Sequence, residues 1–153
     1  MLEPEIRDEV ARFLGDARVA GLATVDDAGL PHAANLWYAS DADWRLYWVS
    51  NPASAHSRHL VGRPGVALTI YAHTDQALQL HGLQIQGAAR ALAPGTAEAR
   101  HALATYARKY PLIAASALFK QRISGERFYE VTPRWLRWID NRRGFGFKVD
   151  TVF

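Results

Sequence analysis

The sequence predicts a mainly β, α+β fold: six antiparallel strands able to close into a barrel, with an N-terminal helix and a helical insert before the last strand. Three observations carry this reading. Short apolar, β-branched and aromatic runs alternate with turn residues from Arg18 to Leu92. An Ala- and Arg-rich stretch of helical texture separates them from a final run, Phe128 to Ile139, that returns to strand texture. At 153 residues, the chain suits a single domain spanning residues 1–153, large enough to bury a core without disulfides or a structural metal.

The elements follow in order. Ile6, Val10, Phe13 and Leu14 recur at helical spacing after Pro4, with acidic residues in the opening turn and Gly15 at the end, which predicts an amphipathic helix over one end of the barrel. Strands are predicted over 18–25, 30–39, 44–49, 66–73 and 77–92. Asp26-Asp27-Ala28-Gly29 supplies a hairpin turn, and Asp41-Ala42-Asp43 and Thr74-Asp75-Gln76 break strand pairing. Gly82 and Gly87 leave gaps in the fifth strand, as at a barrel bend or where a ligand meets the backbone. Thr96 opens a helix to about Lys109, Tyr110-Pro111 breaks it, and a shorter helix is expected around 114–121. Pro133 places its surroundings in the sixth strand at an edge or bulge. The stretch from Asn141 to Lys148 is aromatic, basic and too irregular for an ordinary strand.

Composition narrows the chemistry. Hydrophobic residues make up 49% of the chain and charged ones 22%, the balance of a soluble globular protein. The acidic N-terminus lacks the pattern of a secretory signal, so a cytoplasmic location with no membrane association is expected. With no cysteine, thiolate catalysis and Cys-based metal ligation are excluded, and redox chemistry must come from a bound cofactor. The net charge of +3 is compatible with a phosphate-bearing ligand.

The segment from Ser50 to Leu60 is the most chemically suggestive. Asn51 suits a helix N-cap and Pro52 a first helical residue, which would place Ser54, Ser57 and Arg58 on one side of a short helix beside Ser50. Hydroxyls, free backbone amides and one guanidinium are what an anionic monoester needs. A capped surface helix between strands is the other reading. His56 and His59 share a helix face, but no third ligand is near in sequence, so no metal is expected. The series Trp37, Tyr38, Trp44, Tyr47 and Trp48 reads as barrel core or dimer interface before it reads as a ligand platform. No nucleophile elbow, Walker A or Rossmann glycine pattern occurs.

With six strands, a helical insert before the last and a Ser-rich turn after the third, the chain resembles the pyridoxamine 5′-phosphate oxidase-like superfamily of FMN-binding split barrels. Ala20 to Val25 followed by Gly29 to His32 looks like that family's opening hairpin, and Gly87 to Leu92 like its G-x-A-x-x-L strand. The ending Trp138-Ile139-Asp140-Asn141 with Gly144-Phe145-Gly146 looks like the YhbP-like branch. The resemblance implies a homodimer with flavin mononucleotide (FMN) sites at the subunit boundary. It aligns Ser50 with the hydroxyl that ends the family's third strand, and Ser54-Ala55-His56 with a Ser-Arg-Lys triplet, so that Ala55 and His56 stand where cations are usual and Arg58 is the candidate to compensate.

On this resemblance Val49, Ser50, Ser54, His56, Ser57 and Arg58 are expected around the flavin phosphate. Asn35, Leu36 and Trp37 are expected along the ring edge through their backbone, and of Gln84 and Gln86, which alternate with Leu83 and Ile85, one is able to reach that edge, Gln84 being the candidate; solvated strand glutamines are the alternative. The second strand lacks the Arg and Lys of the oxidase members, which argues against vitamin B6 oxidation. The function expected is a flavin-dependent oxidoreductase of unknown substrate. Deazaflavin and haem are alternative cofactors, haem being disfavoured because all histidines precede residue 102. Two other classes stay open: a single-stranded nucleic-acid barrel, suggested by the Trp-rich strands with Arg134, Arg137, Arg142, Arg143 and Lys148, and a flavin-free structural dimer. The small net charge and the lack of an RNP-like pattern argue against nucleic acid. The Asn141 to Lys148 stretch is read as interface packing, or as a cover over the partner's cofactor.

Overall fold

The computed structural model describes residues 1–153. Helix α1, Pro4–Asp16, starts on Pro4, whose missing N–H has no helical partner to lose, and buries Ile6, Val10 and Leu14. Strands β1, Val19–Val25, and β2, Pro31–Trp37, form the opening hairpin. Its turn closes because Asp26 Oδ1 accepts the amides of Ala28 and Leu30, and Gly29 takes a left-handed φ of +81°. There follow β3, Ala39–Ser40; β4, Leu46–Ser50; α2, Ala55–His59; β5, Gly65–Tyr71; and β6, His81–Ala91. Helices α3, Ala97–Lys109, α4, Pro111–Ala115, and α5, Ala117–Ile123, precede β7, Arg127–Asp140, and β8, Lys148–Val152.

All strands join one antiparallel sheet in the order β2-β1-β5-β6-β7-β4-β3, with β8 also on β7. Strand β7 is the hub. From Tyr129 to Asp140 it pairs with β6, while on the other side its first part pairs with β4 and its last part with β8. The sheet curls until β2 lies beside β4 without pairing to it, which leaves the barrel split there. Alternate residues of β1 (Ala20, Leu22) and β5 (Val66, Leu68, Ile70) face inward with Trp48, Leu83, Ile85, Tyr129, Val131, Leu136 and Trp138. Helix α1 plugs one end of this core, and Tyr38 hydroxyl donates to the Leu14 carbonyl at 3.1 Å. A second core lies on the other face of β4 and β7, where Ala39, Tyr47 and Phe128 meet Ala102, Tyr106 and Tyr110 from the α3 region.

The predicted α+β fold is the one observed, with differences in detail. There are eight strands rather than six. The second predicted run ends at Trp37 and resumes as the two-residue β3, and the C-terminal stretch leads into β8, so the helical insert precedes the penultimate strand. Residues 77–79 form a 3-10 turn before β6, and the short helix expected around 114–121 is two helices. They break at Ser116, whose extended backbone leaves its hydroxyl free to cap the Phe119 amide. Finally, Asn51 and Pro52 do not open α2. Asn51 Oδ1 accepts the Ala53 amide in a local turn, which delays the helix to Ala55 with Ser54 as its N-cap.

Curvature explains the two glycines of β6. A Cβ on Gly82 would collide with the Ile70 carbonyl and lie 2.8 Å from Tyr71 Cα, and one on Gly87 would collide with the Thr132 carbonyl. Neighbouring backbone, rather than a ligand, is what approaches there. Opposite Gly87 the register slips at Pro133, the bulge read from the sequence, and the Phe153 amide takes up the Arg134 carbonyl.

Candidate phosphate site at the end of the barrel

Strand β4 delivers Ser50 to the end of the barrel opposite α1. Ser50 is the cross-strand partner of Arg127, as Trp48 is of Tyr129, so both side chains start from the inner face, and Arg127 Nη1 donates to the Glu126 carbonyl at 3.3 Å. The turn after β4 then returns α2 over this end. Ser50 Oγ lies 2.7 Å from His56 Nε2 and 3.4 Å from Ser54 Oγ. Ser54 Oγ lies 3.2 Å from the same imidazole nitrogen and donates to Ser57 Oγ at 2.8 Å. Three hydroxyls and one imidazole therefore converge in a half-buried cluster, with Ser57 buried. A groove of about 570 Å³ opens beside it, with Pro52, Ser57, Leu60, Arg127 and Tyr129 in its walls.

Two more histidines stand behind the cluster. His59 Nδ1 is 2.9 Å from Thr24 Oγ1, and the His32 ring meets the His59 ring edge-on at 5.3 Å. His32 is the cross-strand partner of Thr24, which is why the hairpin end of β1 and β2 brings it here. Burial, reinforced by the nearby His32 and His59, pushes the His56 pKa below its ordinary 6.5.

The expected cation is differently placed. The Arg58 guanidinium donates to the Ala53 carbonyl, on the exposed side of α2, and would have to release that bond to meet a phosphate. Val49 alternates to the other side of β4 from Ser50 and packs against the second core near Phe128. Leu36 is an inward core residue. Asn35, Trp37 and Gln84 occupy the outer face of the sheet. There Asn35 pairs with Gly21, Gly21 with Thr69, Thr69 with Gln84 and Gln84 with Arg137, giving one polar row across five strands. Trp37 instead leans on the Tyr110 ring at 5.2 Å. Within one chain, then, Ser50, Ser54, His56 and Ser57 come together, and the residues expected at the ring edge lie on another surface.

The sequence reading missed His32, Thr24 and Arg127 as neighbours of the turn, and took His59 only as a companion of His56 on one helix face. His59 sits at helical spacing from His56, a usable signal, whereas Arg127 and His32 arrive through strand order alone. The C-terminal stretch is engaged by its own chain. Arg143 donates to Glu5 and Glu9 of α1, Asn141 Nδ2 donates to the Ala77 carbonyl, and Phe147 packs on the main core, while Phe145 is exposed. No helix is long and apolar enough to cross a membrane.

Residues 6–140 match the family model described as pyridoxamine 5′-phosphate oxidase. Among solved structures, the chain is similar to a heme binding protein from Mycobacterium smegmatis, with a TM-score of 0.77 and 21% identity over 99% of this chain and 60% of that one. It is also similar to HutZ, a heme storage protein from Vibrio cholerae, with a TM-score of 0.71 and 18% identity over 87% of this chain and 90% of that one. A putative pyridoxamine 5′-phosphate oxidase from Listeria innocua gives a TM-score of 0.67 and 16% identity over 88% of this chain and 98% of that one. At these identities the likeness is one of fold. No curated protein sequence matches the chain.

Proposed function

Because the chain belongs to the pyridoxamine 5′-phosphate oxidase family, we propose that it binds FMN at the end of the barrel and acts as a flavin-dependent oxidoreductase whose substrate is open. One observation supports this above the rest: the hydroxyls of Ser50, Ser54 and Ser57 and the His56 imidazole converge within hydrogen-bonding distance of one another, across the strand pair from Arg127. The donor set fits a phosphomonoester. Hydroxyls donate without needing a metal, an imidazole can carry charge, and Arg127, on leaving the Glu126 carbonyl, would add a fixed cation. A bound flavin would supply the redox chemistry, and the protein's part is to hold and tune it.

Ser50, Ser54, His56 and Ser57 would hold the phosphate in this reading, and Asn35, Trp37 and Gln84 would contact the ring edge from a second subunit. That division explains why the two sets lie on different surfaces of one chain. The outer face also exposes Val19, Trp37, Tyr71 and Val152, an apolar surface suited to a homodimer. Location in the cytoplasm is part of the same proposal.

Haem is a second reading. It is favoured by the fold likeness to heme binding proteins and by the His32 and His59 pair beside the turn, which offers imidazole ligands that the C-terminal stretch lacks. Visible spectra separate the two. Addition of FMN to the purified protein should shift and quench the flavin bands at micromolar concentration, whereas a Soret band on haem titration with no response to FMN would overturn the flavin assignment.

A further inference from the structure

Three imidazoles crowd the barrel end, where each arginine already has a partner. Arg58 is turned onto the Ala53 carbonyl, and Arg63 pairs with Asp27. From β7, Arg127 stands opposite Ser50 with its Nη1 on the Glu126 carbonyl, and from β6 Arg90, in the same groove, pairs with Glu130 at 3.0 Å. From α2 come His56 and His59, and from β2 comes His32. The facing carboxylate is Asp26, at the hairpin turn, where it accepts the Ala28 and Leu30 amides and feels His59 and Arg63. No carboxylate bonds to any of the three rings.

His56 is the pivotal group because its Nε2 meets two hydroxyls at once, Ser50 at 2.7 Å and Ser54 at 3.2 Å. A neutral imidazole satisfies these with one nitrogen that either accepts or donates. Facing a phosphate dianion, the imidazolium is favoured, since both its nitrogens donate and its charge is matched.

We propose that this turn is a proton-coupled anion site: binding of a phosphomonoester is accompanied by protonation of His56, so the ligand is held at acid pH and released as the pH rises. The inference rests on the reading of the turn as the flavin phosphate site. The sign follows from linkage. In the free protein burial and the two neighbouring rings lower the His56 pKa, whereas an anion beside it raises that pKa. Between the two values, affinity falls with rising pH, by up to about tenfold per unit for one coupled proton.

Calorimetric titration with FMN, riboflavin and inorganic phosphate from pH 5.5 to 8.5, in buffers of different ionisation heat, tests this. Wild-type protein should take up close to one proton per FMN near neutral pH and bind FMN more weakly as pH rises, while riboflavin shows neither effect. The ligand's own second ionisation, near about pH 6, is common to all variants, so the comparison is with His56→Gln, which should lose the proton uptake and the excess pH slope. His56→Lys should bind FMN at pH 8.5 as tightly as wild type does at acid pH. FMN binding with the same slope and proton count in wild type and His56→Gln overturns the inference alone. Failure of folded wild-type protein to bind FMN or phosphate at any pH overturns the phosphate-site reading and this inference with it.

Discussion

Ser50 on β4 and Arg127 on β7 are direct cross-strand partners, so a hydroxyl and a guanidinium stem rise from the same face of the sheet one strand spacing apart. In the proposed site Arg127 would release the Glu126 carbonyl, to which its Nη1 donates, and supply the turn with the fixed charge that Ala55 and His56 do not. Replacing Arg127 by Ala should weaken FMN by roughly tenfold, the value of one charge-assisted hydrogen bond of about 1.5 kcal/mol, and leave riboflavin unchanged. Arg58→Ala, by contrast, should change FMN affinity by less than about threefold, because Arg58 is exposed on the outside of α2, away from the strand pair that carries Ser50. Fluorescence titration of both variants with both flavins checks the pair. Equal losses for FMN and riboflavin at Arg127 would remove its role.

Asp140 ties the C-terminal segment to the body of the protein. Its buried carboxylate accepts Arg142 Nε at 2.7 Å, Arg142 Nη2 at 2.9 Å and the Arg142 amide at 3.1 Å. Burial opposes ionisation, but these donors outweigh it and hold the pKa below the ordinary 3.8. The stability this group contributes is therefore complete above that ordinary value and is lost as pH falls through the lower folded value. Asp140→Ala should cost about 2 kcal/mol, less than a fully buried pair because Arg142 retains access to water. Urea unfolding gives the loss, and faster amide exchange over residues 141–153 should accompany it.

Lys109 closes α1 from outside the helix. Its ammonium donates to the carbonyls of Leu14, at 3.1 Å, and Ala17, and lies 4.1 Å from the Tyr38 ring centroid. Burial, with Arg18 nearby, lowers its pKa from 10.5 to about 8. Between those values the unfolded chain keeps a proton that the folded chain has released, so unfolding free energy rises with pH across that window. The stability of wild type relative to Lys109→Met should therefore increase from pH 8 to pH 10. A difference that stays flat would mean that the amine titrates as in water.

Gly82 tests the curvature of the barrel. Alanine there would drive a methyl group into the Ile70 carbonyl and Tyr71 backbone, so Gly82→Ala should destabilise by about 2 kcal/mol or more. Thermal melting measures it, and Gly15→Ala, where nothing lies within 4 Å of the added carbon, is the control.

Much of the fold was legible because its signals are local. Pro4 and the Asp26 to Gly29 turn act through their immediate neighbours in the chain, and the Gly82 and Gly87 gaps show as breaks in a strand's side-chain row, although the backbone they make room for belongs to the adjacent strands. Strands β3 and β8 were not, since β3 is a two-residue pairing and β8 is only five residues long and follows directly on the irregular Gly144 to Gly146 stretch. The site divides in the same way. Ser54, His56 and Ser57 lie within one turn of chain, and their convergence with Ser50 follows from sequence spacing. Arg127 and His32 reach the turn only through the order β2-β1-β5-β6-β7-β4, which local pattern does not specify. Asn51 misled because an Asx turn and a helix cap use the same side-chain oxygen.

The phosphate seat at the barrel end is tested most directly by comparing the dissociation constants of FMN and riboflavin for the unmodified protein, by equilibrium dialysis at pH 6. Tighter binding of FMN by at least about tenfold, abolished in the Ser50→Ala, Ser54→Ala double variant, is the predicted result. Equal affinities for the two flavins, or an FMN preference that survives the loss of both hydroxyls, would contradict it.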